Sequence, residues 1–283
     1  MIIIIKRQED IENQSNTAKK AGKTLGFVPT MGALHEGHLS LIKKSKKEND
    51  LTICSIFVNP TQFNDKKDFD AYPITMAKDI EMLVSAGCDI LFSPDVQEMY
   101  PDGFVNATKV DFGFLAATLE GEFRPGHFDG MAQIVEKLLQ MVKPTRLYMG
   151  QKDYQQAMIC NELIKKRKIE TQLVVCPIKR ENDGLAMSSR NVRLTDDNRD
   201  LAPIIHQTLK KAKAALKAGK KTIAEIEIES FNLLKSIANF KPEYFAIRDA
   251  ISLKKVNEKH KEQKVILVAC WVGEVRLIDN ILI

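Results

Sequence analysis

Short apolar runs alternate with helical patterns over the first part of the chain, and this alternation limits the possible folds most. The runs predicted as strands are Met1–Ile5, Leu25–Val28, Leu51–Val58, Ile90–Phe92, Arg146–Met149 and Thr171–Val175. The patterns predicted as helices cover residues 8–21, 37–47, 75–86, 131–141 and 154–166. Strands joined by short connections and helices pair in parallel with right-handed crossovers, so the pattern predicts an α/β fold with a mostly parallel sheet.

The composition changes around residues 181–184, and a different pattern follows. A polar loop leads to a Lys/Ala-rich helix predicted at 197–218 and a second helix at 222–238. The strands predicted after them are Tyr244–Arg248, Val265–Trp271 and Glu274–Ile278, the last two joined at Gly273. The sequence therefore predicts two domains, residues 1–183 and a smaller α+β domain at 184–283.

The connection between the second strand and the second helix carries two glycines and two histidines. It reads P-T-M-G-A-L-H-E-G-H from Pro29 to His38. A strand-to-helix turn brings unpaired N–H groups and the positive end of a helix dipole to one place, where an anion can bind. His35 and His38 can both face that anion. A single histidine there would more often be a surface or core residue, but this pair favours a nucleotide triphosphate site.

The segment Gly150-Gln151-Lys152-Asp153 has the same order of strand end, glycine, basic residue and helix start. A lysine ammonium can follow charge as it moves among phosphate oxygens. Asp153 by itself is better explained as a helix cap. Gln155 and Gln156 on the following turn favour a ligand site.

Two polar loops offer further groups that could bind a substrate. Met187–Asn191 supplies two hydroxyls and a guanidinium, which suit phosphate oxygens, although it could equally be a turn with surface residues. Asn59–Phe63 supplies two amides and a hydroxyl but no titratable group, which suits a neutral, hydroxylated part of a substrate. The charged segment 64–72 beyond it is a candidate mobile flap.

Composition weighs against several other classes of protein. The chain has 42 basic and 37 acidic side chains, and its lysines are scattered, which disfavours nucleic-acid binding. Five cysteines without a C-x-x-C motif argue against a disulfide framework or a zinc site and indicate core packing. No P-loop is present, and the apolar start is far too short to span a membrane. A cytoplasmic protein is expected.

Five longer strings of sequence lie between residues 28 and 194. They are, in order, P-T-M-G-A-L-H-E-G-H, F-V-N-P-T-Q-F, R-P-G-H-F-D-G, Y-M-G-Q-K-D-Y-Q-Q and G-L-A-M-S-S-R-N. In content and order these strings resemble one family, the pantoate–β-alanine ligases (pantothenate synthetases) of the nucleotidylyltransferase superfamily. The resemblance implies a Rossmann-like, doubly wound N-terminal domain and a C-terminal lid. It implies ATP-dependent joining of pantoate and β-alanine through pantoyl adenylate, with Mg²⁺ held by ATP and water. It also implies a homodimer.

The resemblance assigns roles residue by residue. The residues implied to contact ATP are Met31, Gly32, Ala33, Leu34, His35, Glu36, Gly37, His38, Gly150, Gln151, Lys152, Asp153, Lys179, Met187, Ser188, Ser189 and Arg190. Those implied in catalysis are His38, His35, Lys152, Ser188 and Arg190, with His38 as proton donor. Those implied for pantoate and β-alanine are Gln62, Gln156 and Asn59. No protein ligand to a metal is implied.

Two alternatives remain open at this point. Another nucleotidylyltransferase would share the H-x-G-H turn but would need more basic residues for a phosphorylated substrate. Arg124 and His127 could border the pantoate pocket or belong to a structural turn, and they are not counted among the site residues.

Overall fold

The computed structural model describes residues 2–63, 69–104 and 110–283, and the chain divides into two compact units. The first unit contains Met1–Gly150 and Gln156–Pro177, and the second contains Gln151–Gln155 and Ile178–Ile283. The catalytic and lid roles assigned to residues 1–183 and 184–283 stay predictions.

The first unit is built on a parallel sheet that contains every strand predicted for it. Its strands are β1 (Ile3–Ile5), β2 (Leu25–Thr30), β3 (Leu51–Ile56), β4 (Ile90–Phe92), β5 (Arg146–Gly150) and β6 (Gln172–Cys176). Among the described residues the strand order is β1-β4-β3-β2-β5-β6, with every pair parallel. The order reverses direction between β2 and β5, and ligands of open α/β sheets bind beyond the carboxyl ends of strands at such a point.

Helices cover both faces of this sheet. They are α1 (Gln8–Lys20), α2 (Glu36–Glu48), α3 (Met76–Ser85), α4 (Val96–Met99), α5 (Phe114–Ala117), α6 (Glu120–Phe123), α7 (His127–Val142) and α8 (Tyr154–Lys166). Successive strand side chains point to opposite faces. Phe27 therefore joins a core cluster with Ile11 of α1 and Leu138 of α7, whereas Val28 joins another with Ile42 of α2. The predicted doubly wound architecture is confirmed.

The start of α7 was predicted wrongly, at Met131 instead of His127. Gly126 precedes the helix in a left-handed conformation, with φ of 78°. Gly130 lies inside the helix. A Cβ atom there would lie 2.3 Å from the carbonyl oxygen of Thr61. The glycine therefore allows the helix to pack closely on a loop, a reason that only tertiary structure reveals.

The second unit is an α+β structure, as predicted. Its elements are α9 (Asp196–Leu201), α10 (Ile204–Ala218), α11 (Ile223–Lys235), β7 (Phe240–Asp249), β8 (Lys264–Val272) and β9 (Val275–Leu282). The three strands pair antiparallel in the order β7-β8-β9, and the last two form the predicted hairpin at Gly273. The single helix predicted at 197–218 is wrong, because Pro203 divides it into α9 and α10. Proline lacks an N–H group and its ring collides with the preceding turn.

The five cysteine side chains are packed in the two cores, as predicted. All five are free and buried. Burial raises the pKa of the Cys160 and Cys270 thiols to about 12. These thiols are therefore protonated at neutral pH, which is typical of packing residues.

Candidate active site

The turn between β2 and α2 lies at the point where the strand order reverses, and two histidine rings close it. The Nδ1 atom of His35 accepts the N–H of Gly37 at 3.1 Å, and Nδ1 of His38 accepts the N–H of His35 at 3.3 Å. This reciprocal pair replaces the Ser/Thr and Glu side chains of an ordinary capping box. The two ring centroids lie 4.1 Å apart. The structure thus brings the two predicted histidines together.

The hydrogen bonds also determine where each neutral ring carries its proton. Nδ1 of both His35 and His38 acts as an acceptor, so in a neutral imidazole the hydrogen sits on Nε2. Each ring then has Nε2 as its donor. A donor of this kind suits a phosphate oxygen, and the helix cap fixes the tautomer.

Several N–H groups of this turn already have a partner within the protein. Asp79 of α3 is buried, and its carboxylate accepts the N–H of Ala33 at 3.0 Å and that of Leu34 at 2.8 Å. The N–H of Gly32 donates to the Thr30 hydroxyl at 3.2 Å. The expectation that this turn leaves its N–H groups unpaired is therefore wrong for these three residues. Binding of an anion at the turn stays a prediction.

Asp79 also explains the glycine at position 32. Gly32 has a φ of +82°, and a Cβ atom there would lie 3.1 Å from an Asp79 carboxylate oxygen and from the Ile56 side chain. The glycine is therefore required by backbone conformation and by Asp79. Thr75 is the N-cap residue of α3, but its hydroxyl donates to Asp79 at 3.1 Å and makes no capping hydrogen bond to the helix backbone. Asp79 was not predicted from the sequence, although an acidic residue on the same helix face as Leu83 was a usable signal.

Asn59 follows β3, and every hydrogen-bonding position of its side-chain amide has a partner inside the first unit. Its Oδ1 accepts hydroxyl groups at 2.8 and 3.2 Å, and its Nδ2 donates at 3.2 and 3.4 Å. The partners, in that order, are the Tyr100 hydroxyl, the Thr61 hydroxyl, the Gly130 carbonyl and the Gln62 side-chain oxygen. An amide has two donor hydrogens and two acceptor lone pairs, so these four contacts use all of them. Asn59 therefore shapes the loop and orients Gln62.

Gln62 joins this loop to the turn after β2. Its Nε2 atom lies 2.8 Å from the sulfur of Met31. His127, the first residue of α7, is buried, and its Nδ1 lies 2.8 Å from the Gln62 carbonyl oxygen. The carbonyl of Arg124 accepts the N–H of His127 at 3.1 Å. His127 therefore supports the backbone of Gln62, which a sequence reading could not establish.

The predicted flap at 64–72 lies only partly within the described residues, which leave out 64–68. Tyr72 at its end is buried. Phe63 makes ring contacts with Phe69 and Tyr72, at centroid distances of 5.3 and 5.8 Å. Mobility of the flap stays a prediction.

The second unit carries Lys152 on a short helical turn, Gln151–Asp153. The Lys152 ammonium lies 3.6 Å from a carboxylate oxygen of Asp153, and the lysine side chain is 18% exposed. The side chain of Gln151 donates to Oδ1 of Asn280 at 3.0 Å. Gly150, which precedes this turn as the last residue of β5, has open space where a Cβ would stand.

The predicted loop Met187–Asn191 is folded onto the segment before it. The N–H of Met187 donates to the Lys179 carbonyl at 3.0 Å, and the N–H of Arg190 donates to the Ser188 hydroxyl at 3.3 Å. Ser188, Ser189 and Arg190 are half-buried, Lys179 is exposed, and Gln156 in the first unit is half-buried. The contacts of all these residues with substrates stay predictions.

A doubly wound parallel sheet with an H-x-G-H turn at its reversal point is typical of nucleotidyl-transferring enzymes. Comparison with known families makes the assignment specific. The sequence matches the family described as Pantoate-beta-alanine ligase over residues 3–282. This chain belongs to the pantoate–β-alanine ligase family.

Individual relatives match along nearly their whole length. The pantothenate synthetase of Bacteroides fragilis is 42% identical over 281 residues, which cover 98% of each chain. That of Aquifex aeolicus is 43% identical over 288 residues, covering 99% of this chain and 98% of its own. The crystal structure of pantothenate synthetase from Thermus thermophilus matches with a TM-score of 0.91, 35% identity and 99% coverage of both chains.

One solved relative was crystallised with ligands. The pantoate-beta-alanine ligase of Francisella tularensis, described as complexed with beta-gamma ATP and beta-alanine, matches with a TM-score of 0.83 and 41% identity. The match covers 100% of this chain and 98% of that one.

Proposed function

We propose that this chain joins (R)-pantoate to β-alanine with ATP and thereby makes pantothenate, the precursor of coenzyme A. The observation that carries the proposal is the pair of histidines that caps α2 at the reversal point of the sheet, in a chain that belongs to this family. The ATP and β-alanine named for the Francisella tularensis relative support the same substrates here.

The reaction takes two steps, because a carboxylate is a poor electrophile. In the first step a carboxylate oxygen of pantoate attacks the α-phosphorus of ATP, and the bond to the departing pyrophosphate breaks. In the second, the β-alanine nitrogen attacks the acyl carbon of pantoyl adenylate, the carbon–oxygen bond to AMP breaks, and the nitrogen loses a proton. A site that excludes water protects the mixed anhydride between the steps.

The histidines and the basic side chains stabilise charge on the phosphate oxygens. His35 and His38 donate through Nε2, with His38 as the proton donor of the adenylation step. Lys152 follows the charge that develops on the phosphates, and Ser188 and Arg190 contribute further donors. These groups work by position and charge, which is most of what nucleotidyl transfer requires from a protein.

The remaining predicted residues bind the substrates. Gln62 and Gln156 hold the hydroxyls and carboxylate of pantoate, and Gln62 also lies near β-alanine. Asn59 acts through Gln62, because its own amide is saturated by protein contacts. Gly150 and Asp153 contact the ribose, and the Lys179 backbone meets adenine.

Magnesium would enter this site as part of the Mg–ATP complex. The histidine, lysine and arginine side chains proposed to contact phosphate are N–H donors or cations, which suit anions, so ATP and water would hold the metal. A Mg²⁺ ion bound to ATP would draw negative charge from the phosphate oxygens, which favours attack at the α-phosphorus.

A homodimer in the cytoplasm completes the proposal. The dimer rests on the family resemblance, and the cytoplasmic location rests on the composition and the short apolar start of the sequence. No helix among the described residues is long and apolar enough to cross a membrane. Size-exclusion chromatography with light scattering would give the mass of the assembly. A monomer at micromolar concentration would contradict the dimer.

ATP–pyrophosphate exchange with a panel of small carboxylic acids tests the activity. We expect exchange only with pantoate, followed by AMP release when β-alanine is added. Exchange with a different acid would preserve the ATP site and overturn the substrate. No exchange from folded protein with Mg²⁺ would overturn the reaction itself, and binding of DNA or RNA at moderate salt would then be measured.

A further inference from the structure

Asn280, near the end of β9, binds the backbone of the turn that carries Lys152. Its Nδ2 atom donates to the carbonyl oxygen of Gln151 at 2.9 Å and to that of Lys152 at 3.0 Å. Its Oδ1 accepts the Gln151 side-chain amide at 3.0 Å. The asparagine is buried, and 128 positions of sequence separate it from Lys152.

The orientation of this amide is determined by its partners. Both backbone carbonyls are acceptors only, so the nitrogen of Asn280 must face them. The Gln151 side chain then supplies the donor that the Asn280 oxygen requires. Only a side chain with a donor and an acceptor at one end can make all three contacts. Aspartate at this position would direct an oxygen at two carbonyl oxygens.

The same strand also holds the second segment that carries predicted ATP contacts. Asp279 accepts two hydrogen bonds from the Arg180 guanidinium, at 2.7 and 2.9 Å. Arg180 in turn pairs with Ala186, beside the predicted loop at 187–191. Neighbouring residues of β9 therefore hold both segments of the second unit to which ATP contacts are assigned.

We propose that Asn280 is a positioning residue for the adenylation step and that it acts by fixing the backbone from which Lys152 extends. The inference rests on the proposed function of Lys152. A lysine side chain has four rotatable bonds, so its ammonium can be placed reproducibly only if its backbone is fixed. Asn280 contacts neither substrate in this role. Its loss moves the ammonium relative to the developing charge.

The alternative is an asparagine that only stabilises the fold, and a double-mutant cycle with Lys152 separates the two. We expect Asn280→Ala to lower the rate constant of pantoate-dependent ATP–pyrophosphate exchange by about 10- to 100-fold, as misplacement of a reacting group does. Asn280→Asp is expected to lower it at least as much. The KM for ATP should change by less than about threefold, because a transition-state contact acts mainly on kcat.

In a Lys152→Ala background, adding Asn280→Ala should lower the exchange rate by less than about a further twofold. The reason is that effects of residues that act through one another are not additive. The matched control is Lys213→Met. It removes a 2.7 Å hydrogen bond from the Lys213 ammonium to the Leu282 carbonyl, also on β9, without touching the Lys152 turn. The control should retain wild-type exchange, and urea unfolding of each variant reports its stability.

Two results would overturn the inference and leave the proposed function standing. One is a wild-type rate for a folded Asn280→Ala enzyme. The other is an equally large effect of Asn280→Ala with and without Lys152, which would show that the asparagine acts elsewhere. A wild-type rate for Lys152→Ala would instead overturn the proposed role of the lysine, and the inference with it.

Discussion

The turn after β2 and the turn after β5 share a local order of residues, but different parts of the chain hold them. Each follows a parallel strand, has a glycine in or directly before it and carries at least one basic side chain. The first is closed by its own two histidines and by Asp79 of α3. The second is held by Asn280 of the last strand. The same local order of residues can thus depend on a nearby helix or on a strand more than a hundred residues away.

The largest effects are expected where a predicted catalytic group is removed from either turn. His38→Ala or Lys152→Ala should slow pantoyl-adenylate formation by about 100-fold or more, since each removes a donor that stabilises charge in the transition state. Pyrophosphate exchange measures the step. Lys165→Ala, which removes an exposed lysine of α8, is the control and should match the wild type. A near-wild-type rate in either test variant would contradict its assigned role.

Asp79→Asn perturbs the support of the first turn. The asparagine oxygen can still accept a hydrogen bond, but its NH₂ group faces an N–H or hydroxyl group that is itself a donor. We therefore expect the free energy of unfolding to fall by about 1–3 kcal/mol, as for a lost hydrogen bond to a charged group. Exchange activity should fall by about tenfold, because the histidine turn loses its fixed geometry.

Urea unfolding and pyrophosphate exchange measure these two effects of Asp79→Asn. Asp50→Asn serves as the control, since Asp50 also accepts a backbone N–H and a hydroxyl of one residue, Thr24, but at an exposed position. If both variants have wild-type stability and activity, Asp79 does not support the turn.

Alanine substitutions of Gly32 and Gly150 should distinguish the two turns, with a smaller effect than Asp79→Asn. Gly32→Ala places a Cβ atom on a left-handed residue and against Asp79, so we expect a loss of about 1–3 kcal/mol in unfolding free energy. Gly150→Ala meets no atom within 4 Å and should cost less than about 1 kcal/mol. A higher KM for ATP in a stable Gly150→Ala enzyme would support its ribose contact. Equal stabilities of the two variants would contradict the distinction.

The smallest effect concerns pH and only the second unit. Burial, together with the charges of Arg180 and Lys210, lowers the pKa of His206 below 6.5, although Asp279 opposes the shift. The unfolded chain therefore binds a proton at a higher pH than the folded protein, and stability falls as pH drops below 6.5 toward the folded pKa. His206→Gln should lose less stability than the wild type between pH 7.5 and 5.5. Urea unfolding of both proteins at the two pH values measures the losses of stability, and equal losses would contradict this role of His206.

Local sequence was sufficient for the strands of the parallel sheet and for the histidine pair. The strands of the parallel sheet followed from short apolar runs, and the helix after His35 followed from its periodicity, since each depends on neighbours in the chain. The start of α7 was missed because Gly130 is needed for contact with Thr61, which is distant in sequence. Pro203 was a local signal for a break between two helices, and the prediction of one long helix did not take it into account.

The sequence by itself determined the fold class, the family and the charged or hydrogen-bonding residues that could contact a phosphate. Only the tertiary structure decided how those residues are held. It placed a carboxylate of α3 on N–H groups of the histidine turn that local reasoning had left unpaired, and an asparagine of β9 on the Lys152 turn. Such contacts join residues that are far apart in the chain, and a hydrogen bond of this kind leaves no periodic pattern in the sequence.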